Sequence, residues 1–440
     1  MASTASKVYF MSDRSTGPDS TLVAKMLAVF DAAGLGEMIK PYDVVAIKLH
    51  CGEYNNTGYL RPVYARALAD KIKSLGGRPF VCDTTTLTYN PFAGRVTAMD
   101  ELLTAERNGY SSATLGCPFI VADGFFGTDD HHVDLPEGVI IKETYIAKAL
   151  AMADVLIVLS HFKGHMTGVF GGAIKNLGIG GQSKRGKFNV HQSRHPQWGM
   201  HLSEFNPHLC IGHGCAQWQI CEDCCPLGLF NVVDHTIEWQ AENCINCQAC
   251  NNIVTCGVLT RPLGNVDGAA AAMADGALAV VKTVGSDKVG FINMAIDASP
   301  GCDCVMWTDR AFVPNIGVFA SRDPVAIDCA CRDMVDQSPG VVGSKAHEAG
   351  VLAPGVPKFA AVSSAVGASD SLQINSGVRN GLGSADYELL EALVPDTSYY
   401  RFQFDPRPVR QRFAKYFEKD PVVPARGFKR TENVDLATLR

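Results

Sequence analysis

At 440 residues the chain has room for more than one domain, and its 47% apolar and 19% charged content is that of an ordinary globular protein. A net charge of −6 offers nothing to nucleic acid or to an anionic membrane surface, and both are set aside as partners. The longest apolar run, Gly268 to Val281, is too short for a span and holds Asp275, so no membrane segment is expected.

The first residues, Met1 to Lys7, lead straight into a strand with no apolar signal region, which predicts a cytoplasmic protein. In chain order, short β-branched runs predict strands at Val8–Met11, Val44–Leu49, Pro79–Val81, Phe119–Val121, Val155–Leu159, Val289–Ile296 and Ile316–Ala320. Helical patterns fall between them at Val63–Leu75, Thr97–Asn108 and Ile141–Met152. Alternating strand and helix predicts an α/β fold with a largely parallel sheet. Five of these strands end in polar residues: His50 to Glu53, Asp83 to Thr86, Asp123-Gly124, Ser160-His161 and Asp297. Ligands of open α/β sheets bind at the strand carboxyl ends, so five such ends on one edge predict a site.

The loop after Val155–Leu159 carries His161, Lys163 and His165, two imidazoles and an amine suited to anion binding or proton transfer. A glycine-rich stretch follows, with Gly171, Gly172, Lys175 and Asn176. It lets the backbone approach a phosphate or carboxylate while Lys175 supplies charge. It lacks the Gly-Lys-Ser/Thr of a nucleotide-binding P-loop. Lys184, Arg185, Lys187 and His191 add a basic run that reads equally as a solvated face or as an acidic substrate's partner.

From about Asn206 to Pro262 the rhythm breaks into a cysteine-dense insert. Eight of the chain's 16 cysteines lie between Cys215 and Cys256. In a reducing compartment such spacing points to metal rather than disulfides. Cys244, Cys247 and Cys250 form C-x2-C-x2-C, and Cys225-Pro226 supplies the remote Cys-Pro of two-cluster ferredoxins. These four are assigned to one 4Fe–4S cluster. Cys215, Cys221, Cys224 and Cys256 are assigned to a second, with Cys210, His208 or His213 as substitutes, because Trp218 occupies a regular ligand position. Zinc is the competing reading, though zinc sites usually arrive as two cysteine pairs. The domains are therefore expected at 1–205 and 263–394 for the α/β part, 206–262 for the ferredoxin-like insert, and 395–440 for a C-terminal extension. Beyond the insert, Cys302 and Cys304 flank Asp303 in a loop, as a metal-binding or redox pair.

The ordered blocks Lys48 to Glu53, Asn56 to Pro62, Asp83 to Leu87, Ala122 to Gly124, Ser160 to His165, Gly171 to Gly178, Gly186-Lys187, His191 to Ser193, Cys302 to Cys304 and Ser321 to Asp328 resemble the "domain of unknown function 362" iron–sulfur proteins. The resemblance implies a ferredoxin-like insert in an α/β domain and no defined reaction. The chain departs from that pattern at Trp218 and Val254. Gly171-Gly172 before Lys175, between His165 and His191, is similar more faintly to the nickel-pincer lactate racemase family, in which such a lysine holds the cofactor.

Together these features predict an oxidoreductase of anaerobic metabolism. Electrons from a ferredoxin-like, low-potential donor would pass through two 4Fe–4S clusters to a small anion held by Lys175, His161 and His165. His161, His165 or Glu53 would move the proton, and Asp83, Lys163, Asn176, Lys187 and His191 would line the site. A racemase or isomerase with structural clusters and a cofactor on Lys175 is the second reading, and an electron carrier without substrate the third. No nicotinamide fingerprint follows an early strand. A further cofactor and a homodimer stay open.

Overall fold

In this computed structural model, residues 5–17, 20–87, 93–192, 204–245, 247, 249–250, 256–260, 266–363, 369–393, 407–430 and 435–439 are described. Ser193, Val254, the insert boundary at Pro262 and the extension boundary at Pro395 lie outside them.

Eight strands form one sheet: β1 (Ser6–Ser12), β2 (Val44–Lys48), β3 (Arg78–Asp83), β4 (Phe119–Val121), β5 (Val155–His161), β6 (Val289–Ala295), β7 (Gly317–Ser321) and β8 (Tyr387–Glu391). Their spatial order is β8-β1-β7-β6-β5-β2-β3-β4, and only β7 runs against the rest. The expected α/β class and largely parallel sheet are thus present.

Helices cover both faces. On one side lie α1 (Leu22–Ala32), α2 (Pro62–Ser74) and α3 (Ala98–Arg107). On the other lie α4 (Ala173–Gly178), α6 (Asp267–Val284), α7 (Pro324–Gln337) and α8 (Leu372–Arg379), while α5 (Lys184–Gln192) follows α4. Strand alternation divides the core between them. Val155, Ile157 and Leu159 pack with Met26, Phe30 and Leu68, whereas Leu156 and Val158 pack with Ile174, Met273 and Ile327. Burial on both faces explains why the strands read as continuous apolar runs. Helix starts follow local chemistry. Thr97 and Asp100 form a capping box on α3, and Asp323 accepts from the amides of Val325 and Ala326 ahead of Pro324 on α7.

One expectation fails. Ile141–Met152 is not a helix but a strand, Glu143–Ala147, followed by a single turn, Lys148–Ala151. Thr144 and Ile146 point inward while Glu143 stays exposed, a period of two that pairs with Asp130–Asp134. The alanines at the end of the run imitate helical composition.

The alanine-rich run once weighed as a span is α6, buried along most of its length. Its Asp275 accepts from the amides of Val139, Ile140 and Ile141 at 2.8, 2.7 and 3.1 Å and from the Asn380 side chain at 2.9 Å. No helix among the described residues is long and apolar enough to cross a membrane. The insert starts and ends on paired strands, Glu204–Phe205 with Leu259–Thr260, and has its own small core of Phe230, Val232, Ile237, Val258 and Leu259. Residues 396–440 form a separate unit containing α9 (Val409–Lys419).

Helix α6 reaches α4 through glycine on glycine: a Cβ on Gly276 would stand 2.6 Å from the Gly178 carbonyl oxygen. Neither backbone can yield cheaply, since Gly178 ends the helix that carries Lys175. Gly276→Ala is expected to cost about 1–3 kcal/mol, read as a lower denaturation midpoint; an unchanged midpoint would show that the crossing is loose.

Candidate active site at the strand carboxyl ends

The carboxyl ends of β2, β3 and β5 gather basic groups inside the protein, and two carboxylates make this tolerable. Lys48 is fully buried; its Nζ lies 2.9 Å from Asp83, 3.1 Å from Asn176 Oδ1 and 2.7 Å from the Leu49 backbone carbonyl. Burial by itself raises the Asp83 carboxyl, but Lys48, His50 and Arg95 outweigh it and hold it well below the usual carboxylate range. Asp303 plays the same part opposite, 2.9 Å from both Lys163 Nζ and His161 Nδ1. Burial raises its carboxyl too, and Lys163 and His161 more than reverse this. His161 donates its other nitrogen to the Ile296 carbonyl at 2.7 Å. Both partners are acceptors, so both ring nitrogens are taken.

Helix α4 brings Lys175 to this cluster. Asp328 of α7 accepts from the amides of Ala173 and Ile174 at 2.7 and 2.9 Å and from Asn293 at 2.7 Å, fixing the start of the helix. Burial raises the Asp328 carboxyl to about 7 against those donors. Gly172 is required here because a Cβ would collide with Asp328 Oδ1, and Gly171 lies against the Lys175 chain. Lys175 is partly exposed, with its Nζ 3.5 Å from Cys302 Sγ. Burial, then the charges of Lys163 and Lys48, push its amine down to about 7.

His165 and His50 complete the cluster. His165 Nδ1 accepts from the amides of Thr167 and Gly168 at 3.3 and 2.9 Å, and His50 Nδ1 from Gly52 at 2.9 Å. Each neutral ring must therefore carry its proton on Nε2. Burial pushes both imidazoles well below their ordinary value. For His165 the next causes are Lys175 and Lys163, and for His50 it is Arg95. The hairpin bearing His165 also holds Val169 at φ 68°, a β-branched residue in the left-handed region. Such a conformation costs on the order of 1–3 kcal/mol and persists only where packing dictates it. The ligand atoms of His165, Cys302 and Cys304 lie within 4.8 Å of one another.

Other expected residues are engaged in hydrogen bonds or lie apart from the cluster. Glu53 accepts from the amides of Tyr54 and Gly94 and from Arg95 at 2.9, 2.8 and 3.0 Å, which uses both its oxygens. Lys187 donates to Thr84 and to the Gln182 carbonyl at 2.8 and 2.7 Å, and burial lowers its amine to about 8. Asp297 lies apart, half exposed and paired with Arg61 at 3.0 Å. His191 Nδ1 donates to the Lys187 carbonyl at 2.7 Å, and its charge acts on His165. Sequence reading missed Lys48, His50, Asp328 and Asn293 as parts of the site. The polar strand end at His50 and the family-like blocks holding Lys48 and Asp328 were signals for three of them, and Asn293 had none.

Residues 45–333 match the family described as a domain of unknown function (DUF362). The chain belongs to this family. No curated protein matches. Among solved structures, the lactate racemase apoprotein from Thermoanaerobacterium thermosaccharolyticum is similar at a TM-score of 0.38 and 14% identity, over 76% of this chain and 58% of that one.

The DUF362 match extends across the insert, where the cysteines fall into two neighbourhoods. Burial, then the charges of Cys256, Cys210 and Cys215, raise the Cys221 thiol. Burial, then Cys247, Cys244 and Cys225, raise Cys250 to about 12. Cys224 stands between the groups, nearly buried, and its thiol donates to the Cys221 carbonyl at 3.1 Å.

Two predictions follow from the charges. Asp303→Ala would leave Lys163 and His161 buried without a counter-charge, at a cost of about 3–5 kcal/mol in a urea titration; a loss within error would mean the triad is dispensable. The folded Lys175 amine at about 7 is about half neutral at pH 7, against roughly one in a few thousand for an ordinary lysine. Peptide-resolved acylation of Lys175 should thus rise with a midpoint near 7, and a midpoint near 10 would contradict its placement.

Proposed function

We propose that this protein is an iron–sulfur oxidoreductase that acts on a small anion at the strand carboxyl ends. The observation that carries the reading is the pairing of two cysteine neighbourhoods in one insert with a cationic cluster at the edge of the sheet. Bound 4Fe–4S clusters supply one-electron transfer at low potential.

The insert's donors suit that group, being thiols in two sets rather than a mixed nitrogen and oxygen shell. Cys225, Cys244, Cys247 and Cys250 would hold one cluster. For the other, Cys210, Cys215, Cys221 and Cys256 fit better than a set containing Cys224. The Cys224 thiol is turned to the backbone of its own helix, whereas Cys210 Sγ accepts the Gly212 amide at 3.3 Å and so has lone pairs free of a thiol donor's role.

At the strand ends the substrate's negative charge meets Lys175 and the Nε2–H groups of His50 and His165, all donors. Asp83 and Asp303 are already committed to Lys48, Lys163 and His161, so they hold those cations in place without cancelling Lys175. Lys175, near half protonation at neutral pH, is the group best able to pass a proton to a reduced substrate. His161, with both nitrogens occupied, acts by fixing Asp303. A ferredoxin-like protein in the cytoplasm would be the donor.

A second reading, a racemase or isomerase with a cofactor on Lys175, is favoured by that amine's partly neutral state, which suits covalent attachment. An adduct on Lys175 in the intact mass would support it.

Iron and acid-labile sulfide, measured on chain purified without oxygen, test the first reading. About eight irons per chain are expected, with roughly half lost in Cys210→Ala and little in Cys224→Ala. Stoichiometric zinc without sulfide would refute it.

A further inference from the structure

The loop after β6 places two sulfurs in the site that the preceding account leaves without a role. Cys302 is buried, Cys304 is partly exposed, and the two sulfurs are joined, with Cα atoms 5.1 Å apart, within the span a disulfide needs. The residue between them, Asp303, is the anchor of the Lys163–His161 triad, so the loop is fixed on both sides of the pair. Among the described residues, two donors point at Cys302 and none at Cys304 Sγ. The Cys304 amide reaches Cys302 Sγ at 3.2 Å and Lys175 Nζ reaches it at 3.5 Å.

We propose that Cys302 and Cys304 form a two-electron dithiol–disulfide couple within the anion site, exchanging with thiols and disulfides, with Cys302 as the stabilised thiolate. This deepens the oxidoreductase reading by giving the site its own two-electron station. A metal ion between the same residues is the weaker choice. His165 Nδ1 already accepts two backbone amides, so its other nitrogen carries the ring proton and has no lone pair to offer. A dication would also sit beside the cationic side chains of Lys175 and Lys163.

The exchange balances as follows. An external thiolate attacks the accessible Cys304 sulfur; the bond between the two cysteines breaks and Cys302 leaves as a thiolate facing Lys175 and the Cys304 amide. A second external thiolate attacks its partner's sulfur in the mixed disulfide. Cys304 leaves as a thiolate, and the external pair departs as a disulfide. The two protons given up by the external thiols end on Cys304 and on Cys302 or Lys175. A leaving thiolate held by two donors leaves faster, which makes Cys302 the leaving group and Cys304 the point of entry.

The test uses the full chain, purified without oxygen and equilibrated in buffers of reduced and oxidised dithiothreitol. After acid quenching and alkylation, mass spectrometry reads the peptide carrying both cysteines. The pair should gain or lose two labels together in one two-electron transition. Lys175→Met should slow its reduction by roughly threefold or more, as a higher leaving-thiol pKa requires. Labels unchanged across the whole series would overturn the proposal. So would a stoichiometric metal ion that disappears in Cys302→Ser. The readout needs no iron, so its failure is distinguishable from failure of the cluster assignment, which the iron and sulfide content decides.

Discussion

Burying several lysines and histidines at one sheet edge is possible only because Asp83 and Asp303 are buried with them. Each carboxylate lies 2.9 Å from a buried lysine, Lys48 in one case and Lys163 in the other. An unpaired charge in the interior costs several kcal/mol, and a well-bonded pair recovers most of that. What the two pairs leave over is Lys175, whose own burial, with the charges of Lys163 and Lys48, lowers its amine to about 7, so that it is about half cationic at neutral pH. The cationic character of the site is thus a remainder, fixed by which amines receive a carboxylate and which does not.

The fold exists at this point to hold Lys175 still. Helix α4 is short, with little stability of its own. It is pinned by Asp328 at its start, by the Asn176 side chain to the Leu159 carbonyl and Ser160, both at 3.1 Å, and by glycine contact with α6. Each pin comes from a different element, so the lysine's position depends on the end of β5 and on α6 and α7 together. The strained Val169 in the adjacent hairpin fits this picture, since surrounding packing decides its conformation.

Much of this was legible in the sequence. The strands were, because burial on both faces makes them short unbroken runs, and the lysine was, because glycines crowd around it. Asp83 was, as a polar strand end; the pairings of Asp303 and Asp328 were not. Asp303 pairs with His161 across 142 positions, and Asp328 reaches Ala173 across 155. No spacing rule bridges such distances. Glu53 and His161 looked catalytic by residue type and strand-end position, but their hydrogen bonds consume every polar atom on the side chain that chemistry would need. The strand Glu143–Ala147 was read as a helix because alanines follow it, although its inward residues alternate. In the insert, Cys224 was assigned as a ligand because Trp218 stands at the regular ferredoxin position; its thiol donates to the Cys221 carbonyl of the same helical turn.

The most direct measurement of the central claim is anomalous diffraction at the iron edge from crystals grown without oxygen. The account predicts two iron peaks in the insert, one enclosed by Cys225, Cys244, Cys247 and Cys250 and the other by Cys210, Cys215, Cys221 and Cys256, with none at Lys175. A single zinc ion in the insert, or iron bound at the strand ends in place of those peaks, would contradict it.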